Sequence, residues 1–136
     1  MTTCAQAIKN WSEVNNIVAE EADLVKLYCQ MPPITKMDSA LIGLKACERL
    51  ALSSNSIDRM ISLSGMSKLK ILSLGRNVIK KIEKLEDVSN SLEELWISYN
   101  QIGALDGLSC CPNLTTLYIS NNQIKQWTEL DKLVIF

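Results

Sequence analysis

Five cysteines, at positions 4, 29, 47, 110 and 111, are the side chains here best suited by type to hold a metal or attack a substrate. Their pattern argues against both. No Cys-x-x-Cys pair occurs, the number is odd, and no histidine is present to complete a zinc set or to act as base beside a thiol or hydroxyl. Losing histidine also removes the commonest general base. Leu74-Gly75-Arg76 is an isolated turn feature, far from a glycine-rich phosphate cradle. The expectation is reduced thiols, no metal, no cofactor and no catalysis.

A second polar residue type has a chemical rhythm. Asn55, Asn77, Asn100 and Asn122 recur at intervals of 22, 23 and 22 residues. Each sits in the same apolar frame. The first is Cys47, Leu50, Leu52, Asn55, Ile57, Met60, Leu63 and Met66; the second is Leu69, Leu72, Leu74, Asn77, Ile79, Ile82, Leu85 and Val88. The third runs Leu92, Leu95, Ile97, Asn100, Ile102, Leu105, Leu108 and Cys111, and the fourth Leu114, Leu117, Ile119, Asn122, Ile124, Trp127 and Leu130. The one extra residue falls in the turn-like Ser89-Asn90-Ser91.

The spacing dictates the elements. Alternation in the Leu-x-Leu pair makes a short strand with both leucines inward. The asparagine follows where the chain bends, and its amide is suited to satisfy backbone groups that the bend would leave unpaired. Apolar residues at every third position then suit 3₁₀ or irregular helical turns leading back to the next strand. Each unit buries its apolar face only against its neighbours, so the chain is an α/β leucine-rich-repeat solenoid with short parallel strands on a concave sheet. Ile34, Met37, Leu41 and Leu44 carry the rhythm without an asparagine and read as an atypical first repeat.

Residues 1–33 are expected to form an N-terminal helical cap and residues 34–136 the repeats, each about 22 residues long. Within the cap, residues 3–29 read as helical: Ile8, Trp11, Val14 and Val18 recur at helical steps, and Leu24, Val25, Leu27 and Tyr28 continue the pattern. Asn15-Asn16 suggests a break, and Pro32-Pro33 ends helical structure. Trp11 and Trp127 occupy core-like positions. Past Trp127 no polar capping repeat follows, so the apolar Leu133–Phe136 end is expected either to belong to a shortened form, the favoured reading, or to be covered by another surface. Met1 to Trp11 lacks the apolar run of a signal peptide, and no apolar stretch reaches membrane-spanning length. A net charge of −1 argues against nucleic acid as the main partner.

The residues between the inward leucines line the concave face. One column holds Arg49, Ile71, Glu94 and Thr116; the next holds Ala51, Ser73, Trp96 and Tyr118; Arg76 and Tyr99 stand just beyond. Aromatic residues and arginine are the side chains that most often anchor protein interfaces. Arg49, Ile71, Arg76, Glu94, Trp96, Tyr99 and Tyr118 are therefore the candidate partner-binding residues. Lys80, Lys81 and Lys84 fall on a return segment and read as a solvated convex face.

Three stretches resemble one family closely. Leu27–Asp38, with Pro32-Pro33-Ile34 and Lys36-Met37-Asp38, Leu72–Asn77, and Leu92–Asn100 with Trp96 and Tyr99, are similar to the leucine-rich-repeat light chains of axonemal outer-arm dynein. The resemblance runs from about residue 8 to about residue 130. It implies a non-catalytic regulatory subunit in the cytoskeleton of the cilium or flagellum. Its implied partner is a dynein heavy chain, bound at the microtubule-binding domain at the tip of the motor stalk, close to tubulin, with an effect on beating. Arg76, Trp96 and Tyr99 match the family's motifs and are implied to contact the heavy chain. The sequence departs from the pattern beyond Leu130, where family members continue through further repeat and a charged terminal helix implicated in the microtubule-facing role. Other proteins built on the same repeat subclass, such as phosphatase regulatory and spliceosomal subunits, are the alternative reading.

Overall fold

Leu-x-Leu pairs make strands because alternation lets one side face a core while backbone groups pair sideways. The computed structural model describes residues 1–133 and shows five such strands: β1 Leu24–Lys26, β2 Arg49–Ala51, β3 Ile71–Ser73, β4 Glu94–Trp96 and β5 Thr116–Tyr118. They form one parallel sheet in chain order and pair without slippage, so that Val25, Leu50, Leu72, Leu95 and Leu117 stand in a single row. A second inward row of Leu27, Leu52, Leu74 and Ile97 is fully buried behind it. The strands are joined by return segments whose apolar residues, such as Ile57, Met60, Leu63 and Met66, are each 0–1% exposed. Short 3₁₀ turns at Ser39–Gly43 and Glu86–Val88 interrupt otherwise irregular backbone.

The asparagines hold the bends. Asn100 accepts from the Ile79 N–H at 3.0 Å and donates to the carbonyls of Leu74 and Ile97 at 2.9 and 3.1 Å. Asn77 does the same one repeat earlier, accepting from Ile57 N–H at 3.0 Å and donating to Leu52 and Leu74 at 3.1 and 3.0 Å. Asn55 and Asn122 repeat the pattern at either side. One amide thus stitches two neighbouring repeats where neither has a regular ladder. The residue just before each asparagine is left-handed: Ser54, Arg76, Tyr99 and Asn121 have φ between 55 and 57°.

The N-terminal segment departs from its sequence reading. Only Cys4–Asn15 (α1) is α-helical, begun by a capping box between Thr3 and Gln6 and ended by Asn16 at φ 52°. Cys4 and Ala7 are buried, and Ile8 and Trp11 pack partly against the core, whereas Val14 and Val18 are 84% and 56% exposed. The Asp38 carboxylate accepts from the Cys4 N–H at 3.1 Å and fastens the helix to the first return segment.

Leu24–Tyr28, read as helix, instead supplies β1 and adds a strand to the sheet inside the stretch assigned to the cap. Its apolar residues fit both periods. Pairing with β2 decides between them, because Val25 and Leu27 then face the core and the backbone joins the ladder. Ile34, Met37, Leu41 and Leu44, the apparent half-repeat, form the buried return segment of this strand.

Trp127, expected inside, is 86% exposed. It opens the 3₁₀ segment Trp127–Leu133 on the far side of the last described repeat, where no described element packs over it. Leu133 packs partly on the core, and the remainder of the apolar Leu133–Phe136 end lies outside the described residues. Among the described residues, no helix is long and apolar enough to cross a membrane.

Candidate protein-binding face

The parallel register fixes which side chains share the outer surface of the sheet. One row reads Leu24, Arg49, Ile71, Glu94 and Thr116; the next reads Lys26, Ala51, Ser73, Trp96 and Tyr118. Strand spacing of about 4.8 Å brings row neighbours into contact. Trp96 and Tyr118 meet edge-to-face, their ring centroids 5.1 Å apart and their planes at 78°. The indole N–H of Trp96 donates to the Glu94 carboxylate at 2.9 Å, which fixes the ring's orientation on the strand. Beyond the strand ends, the Arg76 guanidinium lies 4.2 Å above the centre of the Tyr99 ring.

Both Arg76 and Tyr99 sit at the left-handed position before the asparagine. That backbone conformation costs a residue with a β-carbon about 1–2 kcal/mol and points both side chains outward beside the aromatic pair. Trp96, Tyr99 and Tyr118 remain 42%, 45% and 52% exposed. With Ser53, Ser73, Gly75, Ser98 and Ser120 as a low floor, they wall an open trough of about 570 Å³. The Ser120 hydroxyl donates to that of Ser98 at 3.1 Å, so the floor is organised though it carries no charge.

The structure therefore gathers Arg76, Trp96, Tyr99 and Tyr118 at one trough, with Glu94 attached through the indole. Arg49 and Ile71 stand on the same surface in the neighbouring row. Two residues of this surface escaped the sequence reading. Lys26 and Tyr28, both exposed, extend the rows from β1. The signal that finds them is the Val25-x-Leu27 pair, which matches Leu50-x-Leu52 once the segment is aligned as a strand.

The thiols stand apart from this surface. Burial pushes Cys4 and Cys47 up to about 11 and Cys111 to about 12, so all three are protonated at neutral pH. The Cys110 and Cys111 sulfurs are 3.7 Å apart.

Comparison with known proteins agrees with the repeat. A family model described as leucine-rich repeats in two copies matches residues 90–132. The chain is 56% identical over 132 residues to dynein axonemal light chain 1 of Chlamydomonas reinhardtii, which covers 97% of this chain and 67% of that protein. The human protein of the same name is 48% identical, over 97% of this chain and 70% of its own length. The chain belongs to the axonemal dynein light chain 1 family.

It thus spans about two thirds of the length of these dynein light chain 1 relatives. The solenoid also matches solved structures outside the family. An internalin C2 from Listeria monocytogenes superposes with a TM-score of 0.64 at 30% identity, over 76% of this chain and 45% of that one.

Proposed function

We propose that this member of the dynein light chain 1 family is a non-catalytic subunit that binds an axonemal dynein heavy chain at the microtubule-binding region of its stalk. The concave face around Trp96 makes the contact, and the complex tunes the ciliary or flagellar beat close to tubulin. One observation carries the binding half of this reading. Three half-exposed aromatic rings are held in fixed orientations by Glu94, by Arg76 and by one another on an otherwise small-residue sheet. Cross-strand pairing of Trp96 with Tyr118 stabilises the sheet by about 0.2–1 kcal/mol on its own, but rigid aromatics left half-exposed among small neighbours are also what an interface hot spot needs. Family membership supports the heavy chain as the partner, and the curved open sheet favours a broad protein contact over a catalytic cleft.

The test is a calorimetric titration of a recombinant heavy-chain stalk domain with the wild-type chain and with Trp96→Ala. The expected result is at least a tenfold loss of affinity, the scale of a hot-spot residue. The Trp96→Ala unfolding midpoint stays near that of wild type, because the ring is 42% exposed and lies outside the core. Unchanged affinity sinks the proposed face. Co-purification of the chain with a phosphatase or spliceosomal assembly, and with no dynein, sinks the proposed partner.

A further inference from the structure

Cys110 and Cys111 are consecutive, and consecutive side chains on a strand point to opposite faces. A turn is needed to put two neighbouring thiols on one side, and the chain supplies it. The Cys111 N–H donates to the Leu108 carbonyl at 3.1 Å, and the Leu114 N–H donates in turn to the Cys111 carbonyl at 3.2 Å. The backbone thus winds tightly just before β5, and the two sulfurs meet at 3.7 Å. Asn113 pins this turn to the preceding repeat, its side-chain amide donating to the Asn90 carbonyl at 2.8 Å. Cys4 and Cys47 differ, because their thiols donate to the backbone carbonyls of Lys36 and Arg49 at 3.5 and 3.1 Å.

The paired thiols are unequal. Cys110 is partly exposed, and its thiol also donates to the Gly107 carbonyl at 3.5 Å. Cys111 is 0% exposed and belongs to the buried apolar frame with Leu108 and Leu114. Burial pushes its thiol up to about 12, so at neutral pH a reagent in water finds neither access nor a thiolate there. One sulfur is reached from water, and the other is reached through the first.

We propose that Cys110 and Cys111 form a dithiol modification site, at which Cys110 captures a low-molecular-weight disulfide of the glutathione class and Cys111 resolves it into a Cys110–Cys111 disulfide. The Cys110 thiol gives up its proton and attacks one sulfur of the reagent; the reagent's S–S bond breaks, and one glutathione thiolate leaves and takes up that proton. The Cys111 sulfur then attacks the Cys110 Sγ and expels the second glutathione thiolate, which takes up the Cys111 proton. The protein dithiol is oxidised by two electrons, and the glutathione disulfide is reduced to two thiols. The second step is intramolecular, so proximity offsets the weak acidity of Cys111. An alkylating reagent cannot take this route, because it leaves no disulfide on Cys110 for Cys111 to attack. Closure strains the turn. The sulfurs must approach from 3.7 Å to about 2.05 Å. The two Cα atoms, joined by a trans peptide, stand about 3.8 Å apart, short of the about 4.4–6.8 Å usual across a disulfide. Thiols reopen a strained link readily, so the site suits reversible modification rather than a permanent cross-link.

The test uses the full chain carrying Cys29→Ser, which removes the exposed thiol that would react on its own. The native protein is incubated with oxidised glutathione, and its intact mass and non-reducing peptide map are read. The expected product is lighter than the starting chain by two hydrogens, carries no glutathione, maps to a Cys110–Cys111 link and reverts with a reductant. Adding Cys111→Ala should stop the reaction at a stable glutathione adduct on Cys110. Adding Cys110→Ser should leave Cys111 unmodified, since the route to it runs through Cys110. Phenylarsine oxide, a trivalent arsenical that closes across two neighbouring thiols, should bind one equivalent and block the reaction with oxidised glutathione. That arm keeps both cysteines and so stands even if circular dichroism shows that a variant folds poorly. A lasting glutathione adduct on the chain with both cysteines overturns the proposal, as does a Cys110 that never reacts. Modification of Cys111 in the folded Cys110→Ser chain, or no binding of phenylarsine oxide by the native protein, also overturns it.

Discussion

Tyr99 offers a way to separate the face from the fold, because glycine and alanine at this position should rank in an unusual order. Its φ is 57°. A residue with a β-carbon pays about 1–2 kcal/mol for that conformation, and glycine does not. The Tyr99 ring, in a residue 45% exposed, contributes its contact with the Arg76 guanidinium 4.2 Å from the ring centre, on the scale of about 0.5–1 kcal/mol for a solvated cation–π pair. Tyr99→Ala loses the contact and keeps the strain, so it should be destabilised by about 0.5–1 kcal/mol. Tyr99→Gly loses the contact and frees the unfolded chain by about 0.5–1 kcal/mol, but relieves the strain, so it should stay within about 1 kcal/mol of wild type. The glycine variant should therefore unfold above the alanine variant by roughly 0.5–1 kcal/mol, while both bind the heavy-chain stalk domain at least tenfold more weakly. Urea unfolding followed by circular dichroism gives the first comparison and calorimetric titration the second. An alanine variant more stable than the glycine variant refutes the strain argument. Wild-type affinity in both refutes the placement of Tyr99 at the interface.

Four further outcomes follow from the repeat architecture. Asn100→Ala should cost about 1–3 kcal/mol by denaturant unfolding, because the Ile79 N–H loses its partner, while the Leu74 and Ile97 carbonyls keep bonds from Asn77 and Asn122; a loss below about 0.5 kcal/mol, the scale of a plain surface change, contradicts the stitching role. Gly107→Ala should cost about 2 kcal/mol or more and show as a lowered melting temperature, since φ there is 89° and an added β-carbon collides with the Ile82 carbonyl oxygen. Stability should fall as pH rises from 9 to about 11, because Cys4 and Cys47 ionise at the ordinary 9.0 when unfolded but only near 11 in the fold. A thiol reagent at neutral pH should reach exposed Cys29 first and leave buried Cys4, Cys47 and Cys111 unmodified until unfolding; rapid modification of all five would contradict the buried core.

Much of this protein follows from sequence alone, and the reason is physical. In a solenoid each repeat touches only its neighbours, so the core is written as one local pattern used again and again. Leu50, Leu72, Leu95 and Leu117 could be placed in one row, and Trp96 beside Tyr118, by counting residues, because a parallel sheet in register converts an interval of 22 or 23 residues into a single strand step. Family resemblance was legible for the same reason, in motifs that are continuous along the chain.

Tertiary structure decided what local pattern leaves open. Leu24–Tyr28 carries apolar residues that satisfy helix and strand alike, and only the pairing of β1 with β2 makes it a strand and puts Lys26 on the face. Periodicity gave Trp127 an inward position, yet a side chain is buried only if something lies over it, and no described element does. The T-shaped contact of Trp96 with Tyr118 and the stacking of Arg76 on Tyr99 depend on rotamers and on left-handed backbone before each asparagine. Those are set by the neighbouring repeat across space, where sequence distance carries no information about angle.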